Sequence, residues 1–521
     1  MKNIFVLVSF LLVFFTGLNA QTNKKEAKLY KKAHYYYDYY NYQLAIPYYQ
    51  KLLELDSLNT LYNFEMGNCI YFSELDRTPS LKYYEIAKKD YVDAYFYSAK
   101  VAHLSGFYSD AIKNFEIYKQ DIRQKTYTDK EVDFHLNKSY TARRFKENPR
   151  NVRIMNLGLN INSEYPEYVP IISQDERVMF FTSRRKGSTG SMRDAYGHYF
   201  EDIYMSEFKD GIWQMAENIG YPINSETHDA CIGLSPDLTK MYIYRTNLQE
   251  TGGGIYESEL RNGKWQMPRW IDAEFNSKKS SEKTVCLTIS PDSTEYYFVS
   301  NRAGGFGGTD IYKVKRFADG RWGVPENLGP EINTEYDEDS PFFHPRESTI
   351  YFSSKGHENM GDFDIFKSEI LPGGKWSIPI NLGYPLNTVG GDRFLSVSLD
   401  GRRGYYSTVR EGGMGHSDIY VIEMAFNASN YYIIKGFLLD SDSKAAIDAV
   451  ITITDSKTKE IYGIYRPNMI SANYVILIEP GNSYDVEIKA DNYKTYSNVL
   501  FYPIDSRENE FIIDVYMDRI K

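Results

Sequence analysis

Apolar residues recur at helical spacing in the first part of the chain, residues 23–148. Two similar segments carry the pattern, one with Leu29, Ala33, Tyr36, Ala45 and Tyr49, the other with Tyr95, Ala99, Ala102, Ala111 and Phe115. Ala45 and Ala111 are 66 residues apart, and a less regular segment containing Gly67 and Tyr84 separates them. Because small residues let paired helices approach while large ones fill the space, the pattern predicts three helix–turn–helix units. A last, capping helix is predicted before Pro149.

A longer period follows in residues 150–425. The phrase DIY or a close variant occurs five times, at Asp202–Tyr204, Gly254–Tyr256, Asp310–Tyr312, Asp364–Phe366 and Asp418–Tyr420. Successive gaps are 52, 56, 54 and 54 residues, and four tryptophans keep a similar spacing: Trp213, Trp265, Trp322 and Trp376. A short aromatic run precedes each phrase, and turn residues separate the runs, so each unit predicts about four strands. Five such units predict a five-bladed β-propeller.

Residues 430–521 show a third pattern, in which apolar and polar residues alternate between frequent turn residues. This pattern predicts a small β-sandwich. The predicted fold class is therefore multidomain, α then β: helical repeats in residues 23–148, a propeller in residues 150–425 and a sandwich in residues 430–521.

Each region resembles a known family. The helical spacing resembles the tetratricopeptide repeat, with Leu or Tyr where that repeat has Trp. The triplet SPD before an aromatic strand and the phrase GGTDIY after it resemble the TolB-type, WD-repeat-like propellers. Lys435-Gly436, Ala449-Val450 and the run NYVILIEPGNSYDVEIKADNY resemble the carboxypeptidase regulatory-like, transthyretin-like module.

The glycine-rich stretch Gly304–Gly308 raises the question of a phosphate-binding loop. Such a loop needs a following helix whose N-terminus faces the anion, whereas DIYKVK alternates like a strand. The glycines therefore predict a turn between two strands. The aspartate of each DIY phrase could line a binding surface, but its recurrence favours hydrogen bonds to backbone N–H groups of that turn. Recurring tryptophans similarly favour packing between sheets.

The N-terminus predicts a secretory signal peptide over residues 1–20. Lys2 precedes the apolar run Ile4–Phe15, which is short for a membrane span, and cleavage is expected after Ala20. A retained membrane anchor is the alternative. No cysteine follows the cleavage site, so a lipid anchor is not expected. The prediction is an exported, periplasmic protein that associates with the outer membrane, if at all, through its partners.

Composition narrows the function classes. The net charge of −10 argues against nucleic-acid binding. Only three cysteines occur, and an odd, widely spaced set is not a disulfide framework, so Cys69, Cys231 and Cys286 are expected to be buried thiols. The acidic run Asp337–Asp339 could hold calcium, but it lacks the EF-hand pattern and is expected to be a solvated loop.

The sequence lacks two common catalytic motifs. The chain has neither a G-x-S-x-G elbow nor an H-E-x-x-H sequence. The sequence therefore predicts a protein that is not an enzyme and that has no cofactor and no metal site.

The resemblance to tetratricopeptide repeats implies a concave groove that binds peptides. Carried over to this chain, the groove positions are Tyr30, His34, Tyr37, Asn68, Tyr71, Lys100 and His103. The run YYYDYYNY also places more tyrosines around the first helix than one buried face requires. Exposed tyrosines anchor protein partners well, although tyrosine is also ordinary core material.

The order of the modules resembles PorE-type proteins of Bacteroidetes, accessory components of the type IX secretion system. In that family an OmpA-like, peptidoglycan-binding domain usually follows, and the chain ends at Lys521, so peptidoglycan binding is not expected. The resemblance implies a periplasmic scaffold that joins envelope proteins in secretion or gliding. The alternative is a propeller that binds an extracellular glycan or peptide, and an unrecognised hydrolase is the third hypothesis.

Overall fold

The computed structural model describes residues 24–74, 76–194, 197–235, 238–247, 252–276, 282–290, 293–344, 348–424, 432–503 and 510–520. The predicted signal peptide lies outside the described residues. The chain divides into two compact units, one ending at Glu147 and the other beginning at Asn148.

The first unit is helical. Its helices are α1 (24–38), α2 (Tyr42–Leu55), α3 (Thr60–Ser73), α4 (Leu81–Ala87), α5 (Asp93–Leu104), α6 (Tyr108–Gln120) and α7 (Asp129–Glu147). A short 3₁₀ helix, Thr78–Ser80, precedes α4. Small residues lie where helices cross: Ala33 and Ala45 are fully buried, and a Cβ on Gly67 would come 2.7 Å from the Tyr84 ring. Within the described residues, no helix is both long and apolar enough to cross a membrane.

The second unit contains five antiparallel sheets formed by residues 153–423. The first sheet has β2 (Glu167–Ile172), β3 (Val178–Ser183), β4 (Asp202–Lys209), β5 (Ile212–Trp213) and β6 (Glu217–Asn218). The second has β7 (Asp229–Leu234), β8 (Lys240–Thr246), β9 (Gly253–Arg261), β10 (Lys264–Trp265) and β11 (Arg269–Trp270). A 3₁₀ segment, Thr189–Ser191, lies between β3 and β4.

The remaining three sheets repeat this plan. The third has β12 (Thr284–Ile289), β13 (Glu295–Ser300), β14 (Asp310–Lys315) and β15 (Glu326–Asn327). The fourth has β16 (Glu338–Phe343), β17 (Thr349–Ser354), β18 (Asp364–Glu369) and β19 (Ile380–Asn381). The fifth has β20 (Asp392–Val397), β21 (Arg403–Thr408), β22 (Asp418–Glu423) and, from the start of the unit, β1 (Arg153–Asn156).

The five sheets form a propeller-like ring. The first strands of the sheets, β2, β7, β12, β16 and β20, lie side by side in that order, and β20 returns to β2. The ring is closed within the fifth sheet, where β1 pairs antiparallel with β22 from Arg153 opposite Glu423 to Asn156 opposite Tyr420. The described part of the chain therefore consists of a helical region followed by β-sheets, as the sequence predicted.

The aspartates that begin β4, β14, β18 and β22 hold the preceding turns. In the third sheet the Asp310 carboxylate accepts backbone N–H groups from Phe306, at 2.6 Å, and from Gly307, at 3.0 Å. Asp364 and Asp418 bind their turns with the same two contacts, and Asp202 binds Thr189. The predicted structural role of these aspartates is confirmed.

The glycine-rich stretch is the turn between β13 and β14. A Cβ on Gly307 would lie 1.8 Å from the carbonyl oxygen of Tyr336, so only glycine fits this approach of two backbones. The prediction of a turn rather than a helix N-terminus is confirmed. In the second sheet Gly254 replaces the aspartate, and a Cβ there would lie 2.3 Å from Trp270, which occupies the space.

Three of the four recurring tryptophans pack against a neighbouring sheet. Trp213 lies edge-on to Tyr405 of the fifth sheet, and Trp265 lies edge-on to Phe180 of the first. Trp376 contacts Tyr297 of the third sheet. The predicted packing role is confirmed. The three cysteines are buried free thiols, as expected.

The acidic run Asp337–Asp339 is not a solvated loop, and that prediction was wrong. Glu338 begins β16, is fully buried, and accepts hydrogen bonds from Thr334 and Ser354. Acidic residues also begin β2, β7 and β20, where Glu167, Asp229 and Asp392 are fully buried and bind Ser or Thr hydroxyls. These carboxylates are part of the repeated turn structure.

Two further sheets end the chain. One has β23 (Tyr432–Asp440), β26 (Asn473–Ile478), β29 (Glu510–Ile512) and β30 (Val515–Met517). The other has β24 (Val450–Asp455), β25 (Ile461–Tyr465), β27 (Ser483–Lys489) and β28 (Tyr496–Phe501). Their inward residues, among them Ile434, Ile451 and Ile488, share one apolar core. Leu399 of the ring packs against Ile433 and Leu477, so these sheets are joined to the ring.

Candidate functional site

Three of the predicted groove residues form one row along α1. Tyr30, His34 and Tyr37 are spaced by four and three residues, which places them on one face of the helix. Their rings stack, with centroids 5.2 Å apart for Tyr30 and His34 and 6.0 Å apart for His34 and Tyr37. The His34 side chain keeps 39% of its surface exposed. The row is therefore a partly exposed aromatic surface.

The buried carboxylate of Glu65, on α3, contacts Tyr30 and His34 of this row. Glu65 is 4% exposed, and its carboxylate accepts the Tyr49 hydroxyl at 2.7 Å and the Tyr30 hydroxyl at 3.4 Å. The Nδ1 of His34 lies 2.9 Å from the same carboxylate, and Nε2 lies 3.5 Å from Asp38. Burial raises the pKa of Glu65, and the bonds from Tyr49 and His34 oppose that rise. Burial also raises the pKa values of Tyr30 and Tyr49.

Sequence reasoning missed Glu65. Its signal was available, because it is the single charged residue within the otherwise uncharged helix TLYNFEMGNCIYFS. A carboxylate at such a position is costly to bury unless it is paired. Its partners come from α1 and α2, which a search for repeated positions does not identify.

Asn68 connects the row to the second helix pair. Its Nδ2 donates to the Tyr37 hydroxyl at 2.8 Å, and its Oδ1 accepts the Tyr84 hydroxyl at 3.0 Å. Asn68 itself is buried, so it fixes Tyr37 and presents little surface of its own. The structure thus brings together four of the seven predicted groove residues.

The other three predicted residues lie farther along the unit. Tyr71 is buried, and the Lys100 ammonium lies 5.9 Å from the centre of the Tyr71 ring and 5.7 Å from that of Phe96. His103 is also buried, and its Nδ1 lies 3.0 Å from the hydroxyl of Ser139 on α7. Of these three, Lys100 alone is partly exposed. Burial and the charge of Lys100 lower the pKa of the neighbouring His135 to about 3.

The remaining tyrosines of the first repeat are strongly exposed. Tyr35, Tyr39 and Tyr40 are 57%, 64% and 79% exposed, in agreement with the prediction of more aromatics than one buried face requires. They lie outside the row of Tyr30, His34 and Tyr37: Tyr35 is on another side of α1, and Tyr39 and Tyr40 are in the turn that follows the helix.

A cleft lies in the other unit, between the ring and the last two sheets. It has a volume of about 420 Å³ and an aromatic floor that includes Phe208, Trp213 and Tyr405. Charged side chains line it as well, among them Arg177 and Lys435. A concave surface that combines aromatic and charged side chains can hold a small molecule or a peptide.

Comparisons with known proteins give little further information. No family model matches the chain, and no curated protein matches it. The chain is similar to the solved structure of an alpha-L-arabinofuranosidase from Lactobacillus brevis, with 12% identity and a TM-score of 0.32 over 50% of this chain and 91% of that chain.

Two other solved structures are similar at the same level. One is a mutant of puromycin hydrolase complexed with PGG, with 10% identity and a TM-score of 0.27 over 66% of this chain and 53% of that chain. The other is the β-propeller domain of the Trilobed protease from Pyrococcus furiosus, with 12% identity and a TM-score of 0.25 over 63% of this chain and 84% of that chain.

These similarities contradict the prediction that the chain is not an enzyme. Hydrolases are among the similar structures, so the exclusion of catalysis that rested on missing motifs is withdrawn. At TM-scores of 0.32 and below, the similarities carry no argument for a particular reaction.

Proposed function

We propose that the chain is an exported adaptor that binds proteins of the cell envelope through the groove of its helical unit. In this proposal α1–α6 are three tetratricopeptide repeats and α7 is their cap. The five sheets are the blades of a five-bladed propeller, and the last two sheets form a carboxypeptidase regulatory-like sandwich. The setting is the periplasm, and the partners are components of secretion or gliding machinery, as in the PorE-type family.

The row of Tyr30, His34 and Tyr37 carries this proposal. Its three rings are fixed by Glu65 and Asn68 before any partner arrives, so little side-chain entropy is lost on binding. Rigid, partly exposed aromatic rings are well suited to anchor protein partners. Lys100 adds a partly exposed cation farther along the unit.

Affinity purification from the envelope of the native cell, followed by mass spectrometry, tests the adaptor proposal. His34→Ala combined with Lys100→Ala is the informative variant, because both side chains are partly exposed. Lys113→Ala on α6 is the matched control, since it removes an exposed cation from the same unit. We expect the wild type and the control to recover envelope proteins and the groove variant to lose them. Recovery of no envelope protein, or equal recovery by all three chains, would refute the adaptor.

The cleft of the second unit favours a second candidate function, the binding of an extracellular glycan or peptide. Its aromatic floor includes Trp213, so a bound ligand is expected to change tryptophan fluorescence. Titration with panels of oligosaccharides and of peptides, on the wild type and on Phe208→Ala, tests this function. Saturable changes that the substitution weakens support it, and no response to any member of the panels contradicts it.

A further inference from the structure

The outer face of α1 is a continuous basic and aromatic surface. Four of its residues recur every three or four positions, which places them on one side of the helix: Lys24, Lys28, Lys31 and Tyr35. Tyr39 lies in the turn after α1, where its ring contacts that of Tyr35 and continues the row. All five are exposed. The side that packs on α2 carries Leu29, Ala33 and Tyr36, and the groove row lies on a third side. We call these five residues, with Tyr40, the α1 outer face.

The charge of α1 is opposite to that of the whole chain. The chain has a net charge of −10, yet α1 carries five exposed lysines and only two carboxylates. The lysines are Lys24, Lys25, Lys28, Lys31 and Lys32. Among the described residues, no carboxylate lies within 4.0 Å of any of these ammonium groups. Lys32 lies over the ring of Tyr48, with its ammonium 4.9 Å from the ring centre, and the other four cations are available to an outside partner.

Tyr40 occupies a position where the same unit elsewhere uses glycine. It has a φ of 57°, and its N–H and that of Asn41 bond back to Tyr37 and Tyr36. The corresponding turn after α5 has the same two bonds from Gly106 and Phe107, and Gly106 has a φ of 80°. Left-handed backbone is costly for tyrosine and easy for glycine. An exposed tyrosine in this conformation points to a role for its side chain.

We propose that the α1 outer face binds an acidic segment of a partner protein. Carboxylates of that segment pair with the lysines, and its remaining atoms pack on the rings of Tyr35, Tyr39 and Tyr40. This surface is separate from the groove, so the proposal does not depend on the adaptor function proposed above.

A membrane fits this surface less well than an acidic protein does. A helix that lies in a lipid interface buries an apolar face and keeps its lysines on the opposite face. In α1 the apolar side, with Leu29 and Ala33, is already packed on α2, and the exposed tyrosines continue the row of lysines. Aromatic rings beside cations suit an acidic peptide laid along the helix.

Fluorescence anisotropy on the full chain tests the proposal with defined probes. The probes are a labelled peptide of repeated Glu-Glu-Tyr triplets, a peptide of Glu-Glu-Ser triplets, and vesicles of equal parts phosphatidylserine and phosphatidylcholine. We expect the tyrosine peptide to bind at least about fivefold more tightly than the serine peptide. Lys28→Glu with Lys31→Glu is expected to weaken it about tenfold.

Matched variants separate the two parts of the surface. Tyr39→Ser with Tyr40→Gly should abolish the preference for the tyrosine peptide, and the Gly106 turn shows that glycine suits position 40. Lys113→Glu on α6 and His34→Ala in the groove should leave the binding of both peptides unchanged. An equal loss with Lys113→Glu, or no loss with the α1 variants, would overturn the proposal. Binding to vesicles with the same lysine dependence and no peptide binding would assign the face to a membrane instead.

Discussion

The carboxylate of Glu176 lies 2.7 Å from the Nε of Arg403. Glu176 belongs to the turn between β2 and β3 of the first sheet, and Arg403 begins β21 of the fifth sheet. The same carboxylate accepts the Tyr405 hydroxyl at 2.8 Å. This contact joins the first and fifth sheets at the point where the ring closes, in addition to the β1–β22 pairing. Burial raises the pKa of Glu176, and Arg403 opposes that rise.

Glu176→Ala should therefore destabilise the second unit. Removal of the Glu176 carboxylate leaves the Tyr405 hydroxyl and the Arg403 cation without their shared acceptor. We expect the free energy of unfolding to fall by about 2 kcal/mol. Urea unfolding followed by tryptophan fluorescence measures this unit, because all five tryptophans lie in it. Glu331→Ala, at an exposed carboxylate of the same ring, should change little. Equal midpoints for Glu176→Ala and wild type would show that the contact does not stabilise the ring.

Tyr40→Gly should stabilise the helical unit by about 1 kcal/mol, because glycine adopts the left-handed backbone without strain. Gly106→Ala should have the opposite effect of about 1 kcal/mol, and it is a clean comparison since a Cβ there meets no atom within 4 Å. Circular dichroism at 222 nm measures both, because the described α-helices all lie in the first unit. A lower melting temperature for Tyr40→Gly would mean that its side chain contributes more than the backbone strain costs.

Glu65 makes the stability of the helical unit depend on pH. Burial raises the pKa of this carboxyl in the folded state, so the folded state favours its protonated form. The resulting stabilisation is fully present below the unfolded pKa, about 4.3, and is lost as pH rises through the folded value. Glu65→Gln removes this titration, so its stability relative to wild type should increase from pH 4 toward neutrality.

Melting of the 222 nm signal across this pH range, for wild type and Glu65→Gln, measures the effect. Glu54→Gln on α2 is the control, because Glu54 is exposed and should leave the profile parallel to that of wild type. A parallel profile for Glu65→Gln as well would show that burial does not shift this group.

Asp310→Ala should unfold the glycine-rich turn before β14. The substitution removes the acceptor of the Phe306 and Gly307 N–H groups and of the Asn327 side chain, for a loss of about 3 kcal/mol. Asp319→Ala, at an exposed aspartate, is the control in the same urea experiment. Inorganic phosphate should stabilise neither chain. If phosphate stabilised the wild type but not Asp310→Ala, the glycine-rich turn would be an anion-binding site after all.

The features that repeat from sheet to sheet were the ones predicted correctly from the sequence. The aspartates of the DIY phrases and their turns were identified because each sheet needs the same hydrogen bonds at the same place, as Asp310 and Asp364 show. The departure at Gly254 was visible, but its cause was not, since Trp270 reaches that position only in the folded sheet. Glu338 was assigned to a solvated loop because three adjacent acidic residues usually face solvent. Its hydrogen-bond partners, such as Thr334, are evident only in the folded sheet.

The groove was predicted only in part, for a physical reason. Spacing places Tyr30, His34 and Tyr37 on one helix face, and the structure agrees. Spacing along one helix does not show how deeply a side chain is buried by other helices. Tyr71 and His103 are buried, and His103 contacts Ser139 of α7. Glu65 is marked in the sequence as the single charged residue of its helix, but its partners lie on two other helices, so the sequence does not show what it binds.

The pairing of β1 with β22 delays closure of the ring until its last strand has been synthesised. β1 is among the first strands of its unit to be synthesised, and its partner is the last strand of the ring. Until the chain through Glu423 has emerged, β1 has no neighbour and the fifth sheet is incomplete. Unpaired strand edges are prone to wrong associations, so a nascent chain of this kind benefits from a holding chaperone until its final strand arrives.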